Sequence, residues 1–124
     1  MSLHIAKETL DLITKELSRG VKHHVRVGYL VGMIQGDSII VDGINIPQQQ
    51  SSKASTFVTP EEQERILAAM KEYGNRIVGV VQYNGEFGPY KSEITEQYME
   101  RLTEMGVPNL LIVINSRKQY GIYQ

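Results

Sequence analysis

The segment VGVVQYNGEFGPYKSEIT, from Val78 to Thr95, carries the side chains on which any chemistry of this chain would depend. It reads as a strand that runs into a glycine-containing loop and then into a helix start. Gln82 and Asn84 offer neutral amide oxygens, which suit calcium better than zinc, and the Thr95 hydroxyl stays protonated at neutral pH. Because no anion offsets the desolvation of a divalent ion, we predict that these groups hold no tight metal site.

The same polar side chains also have structural interpretations. Ser92 stands where the sequence SEIT opens a helix, so we expect it to be an N-cap rather than a catalytic group. Gln82 and Asn84 lie at a strand end, where amides commonly bond loop backbone groups or each other. We therefore predict that they satisfy their hydrogen bonds locally.

Two histidines, His23 and His24, stand just before Val25 and are the next candidates for metal binding. Because side chains alternate along a strand, at most one of them points the way that Val25 does, and His23 is the one in phase. We expect both to be ordinary surface or strand-edge histidines, and we expect His4 to be solvated on a first helix.

The elements that position this segment begin with a helix. Ser2 can cap it and Gly20 can end it, and its apolar stripe has helical spacing. The stripe consists of Ala6, Leu10, Ile13 and Leu17. The runs HHVRVGYLVGMI and IIVDGINI follow, separated by the turn sequence QGDS, and predict a β-hairpin that Pro47 ends.

A polar stretch, QQQSSKAST, then predicts a disordered connector, although loops at this place can also contact a substrate. The next helix has a strong start signal, with Thr59 as N-cap, Pro60 in the first turn and Glu62 placed to close a capping box. Its predicted buried face consists of Ile66, Leu67, Met70 and Tyr73.

The last elements include the strand that leads to the candidate site. The run RIVGVVQY is almost continuously apolar, as in a strand that is covered on both faces. A third helix is predicted from near Ser92 to Gly106, and NLLIVIN and QYGIY predict two more strands. The order α-β-β-α-β-α-β-β predicts an α/β or α+β sandwich, in which a mixed sheet packs against three helices.

Length and composition restrict the class of protein. The 124 residues predict one domain spanning positions 1–124, with 41% hydrophobic and 22% charged residues. The net charge of -1 and the lack of a basic run argue against nucleic acid as a partner. Cysteine is absent, which excludes disulfides and thiolate metal sites. No apolar run is long enough for a membrane span, and the N-terminus does not read as a signal peptide, so we expect a cytoplasmic protein.

The element order and the segments VGYLVG, TPEEQERI and GEFGPYKSEIT resemble the MPN domain family, also called JAB or JAMM, whose Mov34-type fold is cytidine-deaminase-like. Active members carry His-x-His, seven residues, Ser, two residues and Asp, with a glutamate upstream. In this chain Gln82 and Asn84 take the histidine places, GEFGPYK fills the seven residues, and Ser92 matches the serine. Thr95 takes the aspartate place and Val25 the glutamate place.

The resemblance implies a zinc-dependent isopeptidase fold whose catalytic groups are missing. In the family the histidines and aspartate hold zinc, the metal activates a water, and the glutamate acts as general base. Ser92 alone keeps the family's residue, so we predict a catalytically inactive member that binds no zinc. Inactive members of the family build scaffolds, which predicts a protein partner such as another MPN domain or a ubiquitin-like protein.

Four questions stay open at this point. The chain could be a metal-dependent hydrolase that has recruited other ligands, such as His23 with Glu86 or Glu93. The vacated groove could bind a small molecule or peptide. Phe87 and Tyr90 either pack under their loop or form a contact surface, and we assign them to partner binding because aromatic residues often anchor interfaces. Free strand edges also make a homodimer possible.

Overall fold

The computed structural model describes residues 2–72, 74 and 76–124. Within them the chain forms eight strands and three helices. In chain order these are β1 (Ser2–Ile5), α1 (Lys7–Ser18), β2 (Arg26–Gln35), β3 (Ser38–Asn45), β4 (Gln50–Ser51), β5 (Thr56–Phe57), α2 (Pro60–Glu72), β6 (Arg76–Tyr83), α3 (Glu93–Glu104), β7 (Leu111–Ile114) and β8 (Tyr120–Tyr123). Tyr73, predicted to face the core, lies outside the described residues.

Six of the strands form one mixed sheet in the order β1-β3-β2-β6-β7-β8. The pairs β1–β3 and β6–β7 are parallel, and the other neighbours are antiparallel. The predicted α+β class, with a mixed sheet and helices packed on it, is therefore confirmed. None of the described helices has the length and apolar character that crossing a membrane requires.

The helices cover both faces of this sheet. Along β7 alternate residues belong to two different apolar clusters, because successive side chains of a strand point to opposite faces. Helix α1 packs on one face through Ile13 and Leu17, which have no solvent exposure. Helices α2 and α3 pack on the other face through Ile66 and Leu102. Strand β6 lies between the two clusters, which confirms the prediction that it is covered on both sides.

The N-terminal prediction is wrong in its first residues. Ser2 begins a strand rather than capping a helix, and Ala6 precedes α1 with no side-chain cap bond. The cause is the short alternation at positions 2–5. Leu3 and Ile5 turn toward the core while His4 stays exposed, so the segment pairs with β3 instead of extending the helix. His4 therefore lies on a strand, exposed as expected.

The polar segment QQQSSKAST is not an unstructured connector in this structure. It forms the small hairpin β4–β5 and covers the stretch of β2 that extends beyond β3. The Gln49 side chain accepts from the Val27 N–H at 2.7 Å and donates to the Val27 carbonyl at 2.8 Å. Thr56 also donates to the Gln49 Oε1. The Gln49 side-chain amide thus takes the place of a neighbouring strand at Val27. The amino-acid composition of the segment does not reveal this pairing.

The start of α2 confirms one half of its predicted cap. The Glu62 N–H donates to the Thr59 hydroxyl at 3.2 Å, as expected of an N-cap. The Glu62 carboxylate does not return to Thr59. It accepts from the Gln48 N–H and from Arg65, and the Arg65 bond lowers the pKa of Glu62. The capping box is therefore not closed.

Candidate functional site

The end of β6 and the first turn of α3 bring the predicted site residues together. Gln82 lies on the same face of the sheet as Val80, toward α3, because the two are separated by one residue. Ser92 caps α3 as predicted, accepting from the Thr95 N–H at 3.2 Å. Together with Val25, these polar residues line a cavity of about 190 Å³. Its walls are Val25, Val27, Ala54, Ser55, Thr56, Phe57, Val58, Gln82, Ser92, Thr95, Tyr98 and Arg101.

The polar residues of this site form one continuous chain of hydrogen bonds, the amide–hydroxyl chain Ser92–Thr95–Gln82–Asn84. The Thr95 hydroxyl donates to the Gln82 Oε1 at 2.7 Å, and the Gln82 amide donates to the Asn84 Oδ1 at 2.5 Å. Because the Thr95 hydrogen is used in this way, the Ser92 hydroxyl at 2.9 Å donates to the Thr95 oxygen. Gln82 and Asn84 therefore bond each other, which is one of the two arrangements that were predicted.

Every member of the amide–hydroxyl chain is neutral and bonded. Asn84 and Thr95 are each 6% exposed, and burial of such groups is tolerated because each has a partner. The Asn84 amide group ends the chain by donating to the carbonyls of Gly88 and Tyr90. The amide–hydroxyl chain thus connects the sheet to α3 through neutral side chains alone.

Val25 contributes an apolar wall to the cavity. It is 4% exposed and precedes β2 rather than lying within it. Its N–H donates to the Ser52 carbonyl at 2.8 Å, and its carbonyl accepts from the Ser51 hydroxyl at 2.6 Å. These two bonds to the β4–β5 hairpin fix the backbone at Val25, whose side chain lines the cavity together with Gln82 and Thr95.

The phenol of Tyr98 and the guanidinium of Arg101 complete the cavity. The hydroxyls of Tyr29 and Tyr98 are hydrogen-bonded to each other, and the Arg101 guanidinium lies 5.7 Å from the centre of the Tyr98 ring. Burial raises the pKa of Tyr98 far above its usual value, and the neighbouring Tyr29 raises it further. Burial is also the main reason why the pKa of Tyr29 is raised. Both phenols are therefore neutral donors across the physiological range.

The loop after β6 is fixed by two buried amides. Asn84 holds the Gly88 and Tyr90 carbonyls, and Asn115, which has no solvent exposure, donates to the Phe87 carbonyl at 3.0 Å. The rings of Phe87 and Tyr90 remain 55% and 74% exposed. Of the two interpretations left open, packing under the loop is wrong. The aromatic pair Phe87/Tyr90 instead projects from a backbone that is already ordered.

Gly85 brings this loop close to the segment before β2. Its φ of +60° lies in the left-handed region, and a Cβ there would come within 2.7 Å of the His23 carbonyl oxygen. The His23 Nδ1 lies 2.9 Å from the Glu86 carboxylate, and both side chains are mainly exposed. His23 lies before the strand, so the argument from strand phase does not apply to it. In the described part of the chain, no three His, Cys, Asp or Glu side chains are grouped so that they could hold a metal ion.

Three contributors to this region were not identified from the sequence: Tyr29, Arg101 and Asn115. A usable signal exists for Arg101, because Ser92, Thr95, Tyr98 and Arg101 recur every three residues and so share one side of a helix. Tyr29 and Asn115 had no such signal. Their partners lie 69 and 28 residues away in the chain, and local pattern carries no information on such contacts.

Comparison with known proteins gives the fold but no function. No family model matches the sequence, and no curated protein does. The structure is similar to the solution structure of protein DSY2949 from Desulfitobacterium hafniense, with a TM-score of 0.67. The two share 15% sequence identity over 97% of this chain and 80% of that one. At this identity the likeness extends to the fold alone.

Proposed function

We propose that this chain is a catalytically inactive domain of MPN/JAB-like fold that acts as a protein-interaction or scaffold module. The observation that carries the proposal is the amide–hydroxyl chain, whose residues Gln82, Asn84 and Thr95 are the ones that the family resemblance aligns with the metal ligands. Four of the five motif-equivalent positions line one cavity, and the fifth, Asn84, bonds directly to Gln82. This juxtaposition supports the register on which the family resemblance rests.

The groups at these positions do not fit a zinc ion. The two amide oxygens that could face a cation, on Gln82 and Asn84, already accept hydrogen bonds from Thr95 and Gln82. A zinc ion would have to break both bonds and would gain only neutral oxygen ligands, whereas zinc prefers imidazole, thiolate and carboxylate. Val25 offers neither a proton acceptor nor a charge. The hydrolytic chemistry of the family therefore has no support from these side chains.

The aromatic pair Phe87/Tyr90 is the proposed partner-binding surface. Exposed rings on a backbone held by Asn84 and Asn115 lose little conformational entropy on binding, which favours a specific interface. The partner class that we propose is a protein, either a second MPN domain or a ubiquitin-like protein. The net charge of -1 gives no reason to prefer nucleic acid.

Two measurements test this proposal. Purified protein equilibrated with zinc and desalted should retain well under one equivalent by elemental analysis, and stoichiometric retention would overturn the assignment as inactive. The Phe87→Ser/Tyr90→Ser variant should lose binding to a purified partner that the wild-type domain captures. The matched control is Leu12→Ser, because Leu12 is 52% exposed but lies on α1. If the Leu12→Ser control loses binding equally, Phe87 and Tyr90 have no specific part in the interface.

A second candidate function is a metal-dependent isopeptidase or other hydrolase with ligands outside the family pattern. The observation that favours it is the 2.9 Å contact between His23 and Glu86 beside the site loop. The test is cleavage of isopeptide-linked substrates with and without a chelator. Turnover that the chelator abolishes, and that His23→Gln also abolishes, would establish this function and exclude the inactive domain.

A further inference from the structure

The residues that line the cavity beside the amide–hydroxyl chain carry a positive charge and no negative charge. Arg101 is the one charged residue among the twelve that line it. The ion pairs found in the described chain involve Arg19, His23, Arg65 and Lys91, and none of them involves Arg101. Arg101 is an exposed residue, and its guanidinium lies over the Tyr98 ring at the edge of the cavity. A guanidinium in this position attracts an anion, and its planar fork matches a carboxylate.

The hydrogens that remain uncommitted around the cavity are also donors. The Gln82 amide carries two hydrogens, and one of them is used by Asn84. Of the phenol pair Tyr29/Tyr98 only Tyr98 lines the cavity, and when Tyr29 donates in their shared hydrogen bond the Tyr98 hydrogen is left for another acceptor. The Gln82 Oε1 accepts from Thr95. A ligand that supplies acceptor oxygens would therefore complete the hydrogen bonding, and one that supplies donors would not.

The rest of the cavity is apolar and small. Val25, Val27, Phe57 and Val58 form its hydrocarbon walls. A volume of about 190 Å³ is slightly larger than an apolar cavity of about 150 Å³ that is known to hold benzene. The space therefore suits one ring or a short branched chain.

We propose that this cavity binds a small monocarboxylic acid with an apolar body, its carboxylate on Arg101 and the Gln82 amide and its body against Val25, Val27 and Val58. The ligand is held by charge-assisted hydrogen bonds at one end and by apolar contact at the other. This binding is separate from the proposed partner surface at Phe87 and Tyr90, and it does not depend on the family assignment.

The direct test is titration of the purified domain with benzoate, followed by amide NMR shifts and calorimetry. Benzoate should bind at least about tenfold more tightly than the neutral isostere benzamide, because the charge-assisted bond is lost in the amide. Shifts should centre on residues 25–27, 54–58 and 92–101. No saturable binding of benzoate or isovalerate up to about 10 mM, the range of the weakest specific affinities, would overturn the proposal. Equal binding of acetate and benzoate would also overturn it, because the apolar body would then contribute nothing.

Matched variants locate the site. Arg101→Gln should weaken benzoate binding at least about tenfold and leave benzamide within about twofold. Arg117→Gln makes the same change on an exposed residue of the β7–β8 turn and should leave both unchanged. Phe57→Ala removes an aromatic side chain from the cavity wall. Because Phe57 is 56% exposed, the fold should tolerate the change, whereas benzoate and benzamide should both bind more weakly. If Arg117→Gln weakens benzoate binding as much as Arg101→Gln does, the acid is held by general surface charge and the assignment is wrong.

Discussion

The hydroxyl of Thr95 donates a hydrogen bond to the side-chain oxygen of Gln82 across 2.7 Å, and this contact joins α3 to the end of the central strand β6. The two residues lie 13 positions apart, and neither has a partner that is ionisable. A metal ion that linked α3 to β6 would be held by charged or imidazole ligands. Here a neutral bond makes the connection, so its strength is that of an ordinary buried hydrogen bond.

The first prediction concerns this bond. Thr95→Val keeps the shape of the side chain but leaves the half-buried Gln82 oxygen without its donor, which should lower the free energy of unfolding by about 1 kcal/mol. Urea unfolding followed by circular dichroism measures the change. The control is Thr103→Val. The Thr103 hydroxyl donates to the Met99 carbonyl within α3, and Thr103 lies on an exposed side of the helix. Equal losses in the two variants would show that the Thr95–Gln82 bond has no special role.

The second prediction concerns the loop that carries the aromatic pair. Asn84→Ala removes the donors to the Gly88 and Tyr90 carbonyls. Amide hydrogen exchange in residues 85–91 should become faster, and partner binding should weaken because the rings are no longer held in place. Asn109→Ala, an exposed change before β7, serves as the control. Unchanged exchange in the loop would mean that Asn115 holds it without Asn84.

The third prediction tests the family register. Val25→Glu, Gln82→His, Asn84→His and Thr95→Asp together should create a site that binds about one equivalent of zinc, because the backbone already brings these positions together. The measurement is elemental analysis after desalting, with the melting temperature compared with and without metal. The triple variant that keeps Thr95 lacks the charged ligand and should retain less zinc. A quadruple variant that folds normally and binds no metal would show that the motif positions are wrongly aligned.

The fourth prediction is a pH dependence of stability. The pKa values of Tyr29 and Tyr98 are raised in the folded state, mainly by burial. Above the ordinary phenol pKa of about 10, the unfolded chain loses protons that the folded chain keeps, so stability should fall by up to about 1.4 kcal/mol per pH unit for each phenol. Stability that is present below pH 10 is therefore lost as the pH rises.

Tyr98→Phe checks this dependence, because it removes one of the three phenols, those of Tyr29, Tyr83 and Tyr98, whose pKa is raised by burial. Between pH 9 and pH 11 the variant should lose less free energy of unfolding than the wild type does. Tyr120→Phe changes a phenol whose ring is 56% exposed and should follow the wild type. Identical slopes for all three proteins would exclude Tyr98 as a contributor to this loss of stability.

The sequence predicted the central elements because their signals are local. The apolar run RIVGVVQY coincides with β6, and the Ser92 and Thr59 caps lie where their spacing places them. The hairpin of β2 and β3 follows from two apolar runs around a tight turn. These features depend on residues a few positions apart, and periodicity and capping chemistry describe that range well.

The errors arose where distant residues decide the local structure. Leu3 and Ile5 form a strand because β3 offers them an edge, although the stretch is also compatible with a helix start. The hairpin β4–β5 folds against Val25 and Val27, more than twenty residues earlier in the chain. Within the site, the sequence indicated that Gln82 and Asn84 would bond loop backbone groups or each other, and both kinds of bond are present. It gave no indication of the Tyr29–Tyr98 pair or of the cavity beside it.

The Gln49 side chain has a consequence for how partners can approach. Its amide occupies both backbone groups of Val27, at the place where an incoming extended peptide would form its own ladder bonds. Ser51 and Ser52 do the same for Val25. An incoming strand could extend the sheet here only after it displaces the Gln49 side chain and the β4–β5 hairpin from Val25 and Val27. Recognition at this flank therefore proceeds through side chains, and the domain is protected from edge-to-edge aggregation along the same stretch.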